Sequence, residues 1–300
     1  MPATWHRCTR TVFGICLAAL AVAAGCGREP SPAPSAESPP PPAPVVTEIR
    51  FGPADKSVTM FGPDGKPADL RSDAGKGVGG AGDFAFDNTA ASGMGGIGGH
   101  ARGPRLLEGK DARFGSFTIQ GWFRAPPDRT IGGGAVLVSH RAGHGGFELY
   151  AKTNGTLTLW FGDGTTSHRV ISPQVYTESG QWVFFAVTFA AATKADPEKG
   201  IAAKVGCVTF YKGTARTAVR EVDRAETSAW PPASGAGLGP LAIGARADGS
   251  RAFQGRLDNI RIHTAPPALP PGRRHAGIVN LPALETTRRS DLGHRAADTP

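Results

Sequence analysis

Several groups of residues have types and spacings that could do chemistry. Glu221-Val-Asp223-Arg-Ala-Glu226 places three carboxylates on one strand-like stretch, and a carboxylate pair flanking a glycosidic bond is what acid-assisted sugar cleavage requires. Arg224 interrupts the trio and Trp230-Pro-Pro232 follows it, so the segment also reads as an edge strand whose alternating charges discourage aggregation, which is the expected role. His140 and His144 stand four apart, a zinc spacing only on a helix; Gly143, Gly145 and Gly146 argue against a helix, and two exposed loop histidines are expected. Asp258 has the strand parity of Ile260 and Ile262, so its carboxylate is expected on the core side, where a buried charge needs a partner. A calcium ion held by Asp87, Asn88 and Asp258, with further oxygen from Asp83, is one way to supply it. A hydrogen-bond network without metal is the plainer way, and no other cofactor is suggested. Trp122, Tyr150 and Trp160 each oppose the aliphatic face of their own strand. On a shared sheet they would make a stacking platform for sugar rings; packing inside the sandwich is the plainer reading.

Positioning any of these falls to β-strands. Phe147-Glu-Leu-Tyr-Ala-Lys-Thr153 and Thr156-Leu-Thr-Leu-Trp-Phe161 are alternating runs joined by Asn154-Gly155, the strongest two-residue hairpin signal. Gln181-Trp-Val-Phe-Phe-Ala-Val-Thr-Phe189 is apolar at both parities and predicts a central strand covered on both faces. Thr193 to Gly200 reads as a polar excursion before the strand around Val208, and Val45 to Phe51 as the first strand. The Gly-rich stretch from Gly75 to Gly103 contains a formal Gly-x-Gly-x-x-Gly at Gly75, Gly77 and Gly80. It has neither the preceding strand nor the following helix of a dinucleotide site, and a meandering loop is expected.

The chain ends have a different composition. Residues 1–25 combine a basic start, an apolar run from Val12 to Ala24 and a small-residue exit, the pattern of a secretory signal. Residues 26–44 are rich in Pro, Ser and Ala and predict a semi-rigid spacer, and residues 265–300 predict a disordered Pro- and Arg-rich tail. The folded domain is therefore expected over 45–264. The formal net charge of +8 falls to +6 without Arg7 and Arg10, and much of the rest sits in the tail, so nucleic acid is not an expected partner. Of the 4 cysteines, Cys8 and Cys16 lie in the signal and Cys26 at its exit, leaving Cys207 with no intrachain disulfide partner.

Two resemblances complete the reading. Phe117-Thr-Ile-Gln-Gly-Trp-Phe123, Thr156-Leu-Thr-Leu-Trp-Phe-Gly162, Gly180-Gln-Trp-Val-Phe-Phe-Ala-Val-Thr188, Val208-Thr-Phe-Tyr-Lys-Gly213 and Phe253-Gln-Gly-Arg-Leu-Asp-Asn-Ile-Arg-Ile262, in this order, resemble laminin G-like, concanavalin A-like jelly rolls. The resemblance implies an all-β fold, a two-sheet antiparallel jelly-roll sandwich. It also implies non-catalytic recognition of a glycan or a surface protein, with calcium in some members and a carboxylate at the place of Asp258 serving a backbone network or a cation. Related folds house glycosidases whose Glu-x-Asp-x-x-Glu spacing Glu221 to Glu226 shares, with Arg224 departing from the pattern. Ala23-Ala24-Gly25-Cys26 resembles the bacterial lipobox, with Ala23 where Leu or Val is usual. That resemblance implies lipid attachment at Cys26 and residence at the cell envelope, the outer membrane first; ordinary cleavage with Cys26 incidental is the alternative. The expected function is thus an envelope-anchored binding module and not an enzyme. A structural or adhesive lipoprotein without a small ligand comes second, and a glycan-cleaving enzyme third.

Overall fold

The computed structural model describes residues 46–104, 106, 115–127, 134–196, 201–227 and 238–264. The expected signal (1–25), lipidated Cys26 with its linker (26–44) and tail (265–300) lie outside the described residues.

Strand propensity is realised throughout: the described residues form two antiparallel seven-stranded sheets and no helix. The first sheet runs in the order β1 (Val46–Ile49), β14 (Arg256–His263), β5 (Phe117–Arg124), β10 (Val183–Asp196), β11 (Ile201–Thr214) and β12 (Thr217–Thr227), with β3 (Phe86–Asp87) also paired to β14. The second runs β2 (Thr59–Phe61), β4 (His100–Arg102), β13 (Ala242–Ile243), β6 (Ala135–Ala142), β7 (Gly145–Ala151), β8 (Leu157–Asp163) and β9 (Ser167–Ile171). The protein is an all-β sandwich.

Period-two alternation makes the core. Phe117, Ile119 and Phe123 of β5 and Val183, Phe185, Val187 and Phe189 of β10 face Phe147 and Leu149 of β7 and Leu157, Leu159 and Phe161 of β8, all buried in one cluster. Phe117 joins the sheets, its ring 5.0 Å from Phe147 and 5.5 Å from Phe189, both stacked. The strand β10 is central, paired to β5 and β11, and its outward Phe184 and Ala186 are covered by Trp122 and Tyr211.

Several sequence expectations change in detail. Lys152 N donates to Thr156 O (2.9 Å) and Gly155 N to Lys152 O (3.0 Å), so the β7–β8 loop holds three residues, not two. Gly155 alone takes the left-handed conformation (φ 79°), whereas the two-residue turn would require Asn154 to take it as well. The polar excursion predicted from Thr193 is instead a continuation of the hairpin, with pairing from Ala190↔Cys207 out to Asp196↔Ile201. Asp258 does not point to the core. A bulge between Asp258 and Arg261, with Asn259 at φ 48°, shifts the parity, so that Asp258 pairs with Trp122 on the outer face while Leu257, Ile260 and Ile262 stay inside. The strand carrying Glu221 to Glu226, β12, is an edge strand as expected.

Candidate binding site

The outer face of the second sheet carries an unusual concentration of charge on strands that are otherwise apolar. Register places Ser139 opposite Glu148, Arg141 opposite Gly146 and Val136 opposite Tyr150 on β6 and β7, with Trp160 opposite Glu148 on β8. Alternation within β7 turns Phe147 and Leu149 inward and therefore Glu148 and Tyr150 outward. Glu148 is nevertheless only 1% exposed. The loop following β13 covers it: Arg246 Nε and Nη2 donate to its two oxygens at 2.8 Å each, a bidentate pair. Ser139 Oγ donates to Glu148 at 3.4 Å, and Arg141 Nη1 lies 3.8 Å from Oε1.

Arg141 is held by different contacts. Its Nε donates to Gly143 O at 2.8 Å, and its guanidinium lies over the Trp160 ring, 3.8 Å from the centroid. Gly146 makes this route across β7 possible. It takes φ 89°, and a Cβ there would collide with the His140 carbonyl oxygen, so no side chain stands between Arg141 and Trp160. Arg251 lies over Tyr150 on the same face, 6.0 Å from the centroid. Burial pushes Arg141 below the usual arginine range, and the neighbouring Arg246 and Arg251 charges act in the same direction against Glu148. The Arg246 guanidinium is held above its ordinary value, first by its hydrogen bonds to Glu148.

These groups line a surface pocket of about 310 Å³ bounded by Ser139, Arg141, Gly143, Glu148, Pro240, Arg246, Ala247 and Asp248. Asp248 is fixed by its own turn, Oδ1 accepting from Ser250 N (2.9 Å) and Ser250 Oγ (2.6 Å), which holds its carboxyl below the usual range. Beyond β13, His100 is buried on β4 and stacks on Phe61, centroids 5.1 Å apart, with Arg102 over the other ring.

The residues singled out from sequence are placed differently. Trp122, Tyr150 and Trp160 do not make one platform: Trp122 is on the outer face of the first sheet, packed on Phe184 and Tyr211, whereas Tyr150 and Trp160 cluster with Val136 on the second. All three are buried, at 7%, 6% and 6% exposure, because neighbouring side chains and loops cover sheet faces that alternation alone would assign to solvent. Asp87, Asn88 and Asp258 do not converge as a calcium set. Asp87 pairs with Arg256 Nε (2.7 Å) and accepts from Thr89, while the Asn88 amide is used by Gly99 N and Gly99 O. Asp258 accepts from Val78 N (2.8 Å) and Asn259 N (2.7 Å) and hydrogen-bonds the Asp83 side chain. Among the described residues no group of three or more His, Cys, Asp or Glu could hold a metal ion.

Glu221 and Glu226 lie opposite Tyr211 and Cys207, but Asp223 lies opposite Phe210, whose ring is inside, so the trio does not share a face; Glu221 also pairs with Arg224 at 3.0 Å. His140 is a buried residue of β6 and not a loop histidine. Its Nδ1 donates to Gly239 O at 2.5 Å and its ring meets Phe147 edge-on, because the bulge between Val136 and Val138 turns it inward; His144 is exposed as expected. Sequence reasoning passed over Arg141, Glu148 and Arg246. Glu148 has an outward parity that reads as a solvated charge, and its burial depends on a residue 98 positions away.

No protein-family model matches the sequence, and no curated protein matches it either. Among solved structures the β-sandwich is similar to the CBM40 module of Ruminococcus gnavus IT-sialidase (TM-score 0.37, 13% identity, covering 51% of this chain and 78% of that one). The same module bound to α2,6-sialyllactose is similar too (TM-score 0.35, 16% identity, 53% and 80%). So is the receptor-binding domain of botulinum neurotoxin D (TM-score 0.41, 12% identity, 74% and 49%).

Proposed function

We propose that this chain is a non-catalytic, carbohydrate-recognising jelly roll of the laminin G-like, concanavalin A-like type, carried at the cell envelope on a lipid attached to Cys26. The observation that carries the recognition reading is the pocket over β6 and β7. It is built on a rigid sheet, its size is at the small end for ligand sites, and its polar groups are held in place by one another before any ligand arrives. Guanidinium, hydroxyl, carboxylate and backbone groups together offer the mixed donors and acceptors that sugar hydroxyls require. The same geometry speaks against catalysis: Glu148 is saturated by Arg246, which leaves it poorly suited as acid, base or nucleophile, and the Glu221–Glu226 trio is split between two faces. The lipid anchor is supported by Ala23-Ala24-Gly25-Cys26 at the end of the apolar run.

A glycan array probed with the full chain, in calcium and in chelator, tests the recognition reading. Binding to a defined subset of glycans that is lost in Arg246→Gln is expected. Silence on the whole array in both conditions would overturn it and leave a structural or adhesive envelope protein. Incorporation of a labelled fatty acid that disappears in Cys26→Ser tests the anchor.

A further inference from the structure

The pocket itself is lined by two arginines and two carboxylates, but the sheet face around it, which also carries Arg251, holds more positive charge than it pairs. Three guanidiniums, Arg141, Arg246 and Arg251, share this face with two carboxylates, Glu148 and Asp248. Both oxygens of Glu148 are taken by Arg246, and Oδ1 of Asp248 is taken twice by Ser250. Arg141 is left over. Its Nε is satisfied by Gly143 O, its Nη1 stands 3.8 Å from Glu148, beyond hydrogen-bonding distance, and neither terminal nitrogen donates a hydrogen bond among the described residues. Its side chain is 27% exposed and lines the pocket.

We infer that this pocket selects acidic saccharides, with the terminal nitrogens of Arg141 receiving the two oxygens of a sugar-borne carboxylate or sulfate. The inference rests on the carbohydrate reading and adds the ligand's charge to it. A guanidinium presents parallel N–H bonds whose spacing matches such an oxyanion. The Trp160 ring beneath Arg141 and the Gly143 carbonyl at its root fix the plane of that fork, so little side-chain freedom is lost when the anion arrives. A neutral sugar offers those terminal N–H groups only uncharged acceptors, and hydrogen bonds to a charged acceptor are the stronger ones. Arg246, neutralised by Glu148, closes the opposite side and leaves Arg141 as the group that reads the anion. Carboxylate and sulfate share this chemistry; the shape of the oxyanion distinguishes them.

The test uses the full chain on an array of matched neutral, carboxylated and sulfated glycans, such as lactose, sialyllactose and sulfated lactose, with titration calorimetry on the best matched set. Acidic members are expected to bind at least about tenfold more tightly than their neutral counterparts, the scale of one charge-assisted contact. That preference should weaken as salt is added. Arg141→Gln should erase it, Arg141→Lys should restore only part, and Arg216→Gln, in the exposed β11–β12 turn, should change neither neutral nor acidic binding. Preference for one acidic class over the other identifies which oxyanion is read. Equal binding of neutral and acidic partners would overturn the inference and leave carbohydrate recognition standing, and the wild-type comparison alone decides this even if a variant misfolds. Arg141-dependent binding of polyglutamate as tight as that of the best acidic glycan would also overturn it. An array silent for every glycan removes both readings.

Discussion

Asp258 gives the stability of this protein an unusual pH dependence. The carboxyl is 1% exposed. Burial raises its pKa first, and Asp83 beside it raises it again; the amides of Val78 and Asn259 pull the other way, and the result is pushed up to about 7 from 3.8. The folded chain therefore keeps a proton that the unfolded chain releases above about pH 3.8. The resulting stability is full below that value and is lost as pH rises through about 7. A rise of about three pH units at ~1.4 kcal/mol each amounts to about 4 kcal/mol. His100 and His263, both held below their ordinary values by burial, act in the opposite sense near neutrality. The quantity to measure is thus the difference in unfolding free energy between the wild type and Asp258→Asn, from urea titrations followed by tryptophan fluorescence from about pH 4.5 to about pH 8. The amide introduces a constant offset by facing a backbone N–H with a donor, but it does not titrate. Because part of this is already lost at about pH 4.5, the wild type should lose about 3 kcal/mol relative to the variant across that range, and Asp83→Asn should shrink the loss by removing the neighbouring charge. A difference that stays level with pH would refute the reasoning.

Three further outcomes are expected. Glu148→Gln should cost about 2 kcal/mol in urea unfolding, less than the full penalty of a broken buried pair because Arg246 is 28% exposed and can turn to water; a cost under about 0.5 kcal/mol would show that the pair contributes little. Gly146→Ala should cost about 2 kcal/mol or more and lower Tm, since it adds both left-handed strain and a collision with the His140 carbonyl; an unchanged Tm would mean that β7 shifts freely. Melting curves in calcium and in chelator near pH 6 should coincide, because Asp258 is satisfied by a proton and two amides; a calcium-dependent rise in Tm would show that the pair with Asp83 takes a cation instead.

What was legible in the sequence was whatever repeats every second residue. The alternating Phe, Ile, Val and Leu of β5, β7, β8 and β10 fixed the sandwich and its inner faces. Parity failed where the backbone gains a residue, the bulge at Asn259 sending Asp258 to the opposite face; His140 was misread because its neighbouring glycines suggested a loop where β6 continues, and the bulge between Val136 and Val138 turns it inside. Both bulges are two-residues-for-one events that a single sequence gives no way to place. For the outward aromatics the plainer expectation of burial holds and the shared platform does not, because neither the division of Trp122 from Tyr150 and Trp160 between two sheets nor the arginines lying over the latter two is a local property. The pocket was illegible for the same reason. It exists only because the loop following β13 brings Arg246 onto a glutamate that belongs to a hairpin about a hundred residues earlier.

The pairing of β1 with β14 has a mechanical consequence. Val46 lies opposite His263 and Ile49 opposite Ile260, so the chain enters and leaves the described domain at the same end of one antiparallel ladder. Tension between the segments flanking 46 and 264 therefore loads the hydrogen bonds of this pair in succession, as a zipper is opened, and not together, as in shear. Of the four residues of β1 only Ile49 is fully buried. Under such a pull β1 peels away at low force, while β5, β10 and the second sheet, with the pocket on it, remain folded behind it.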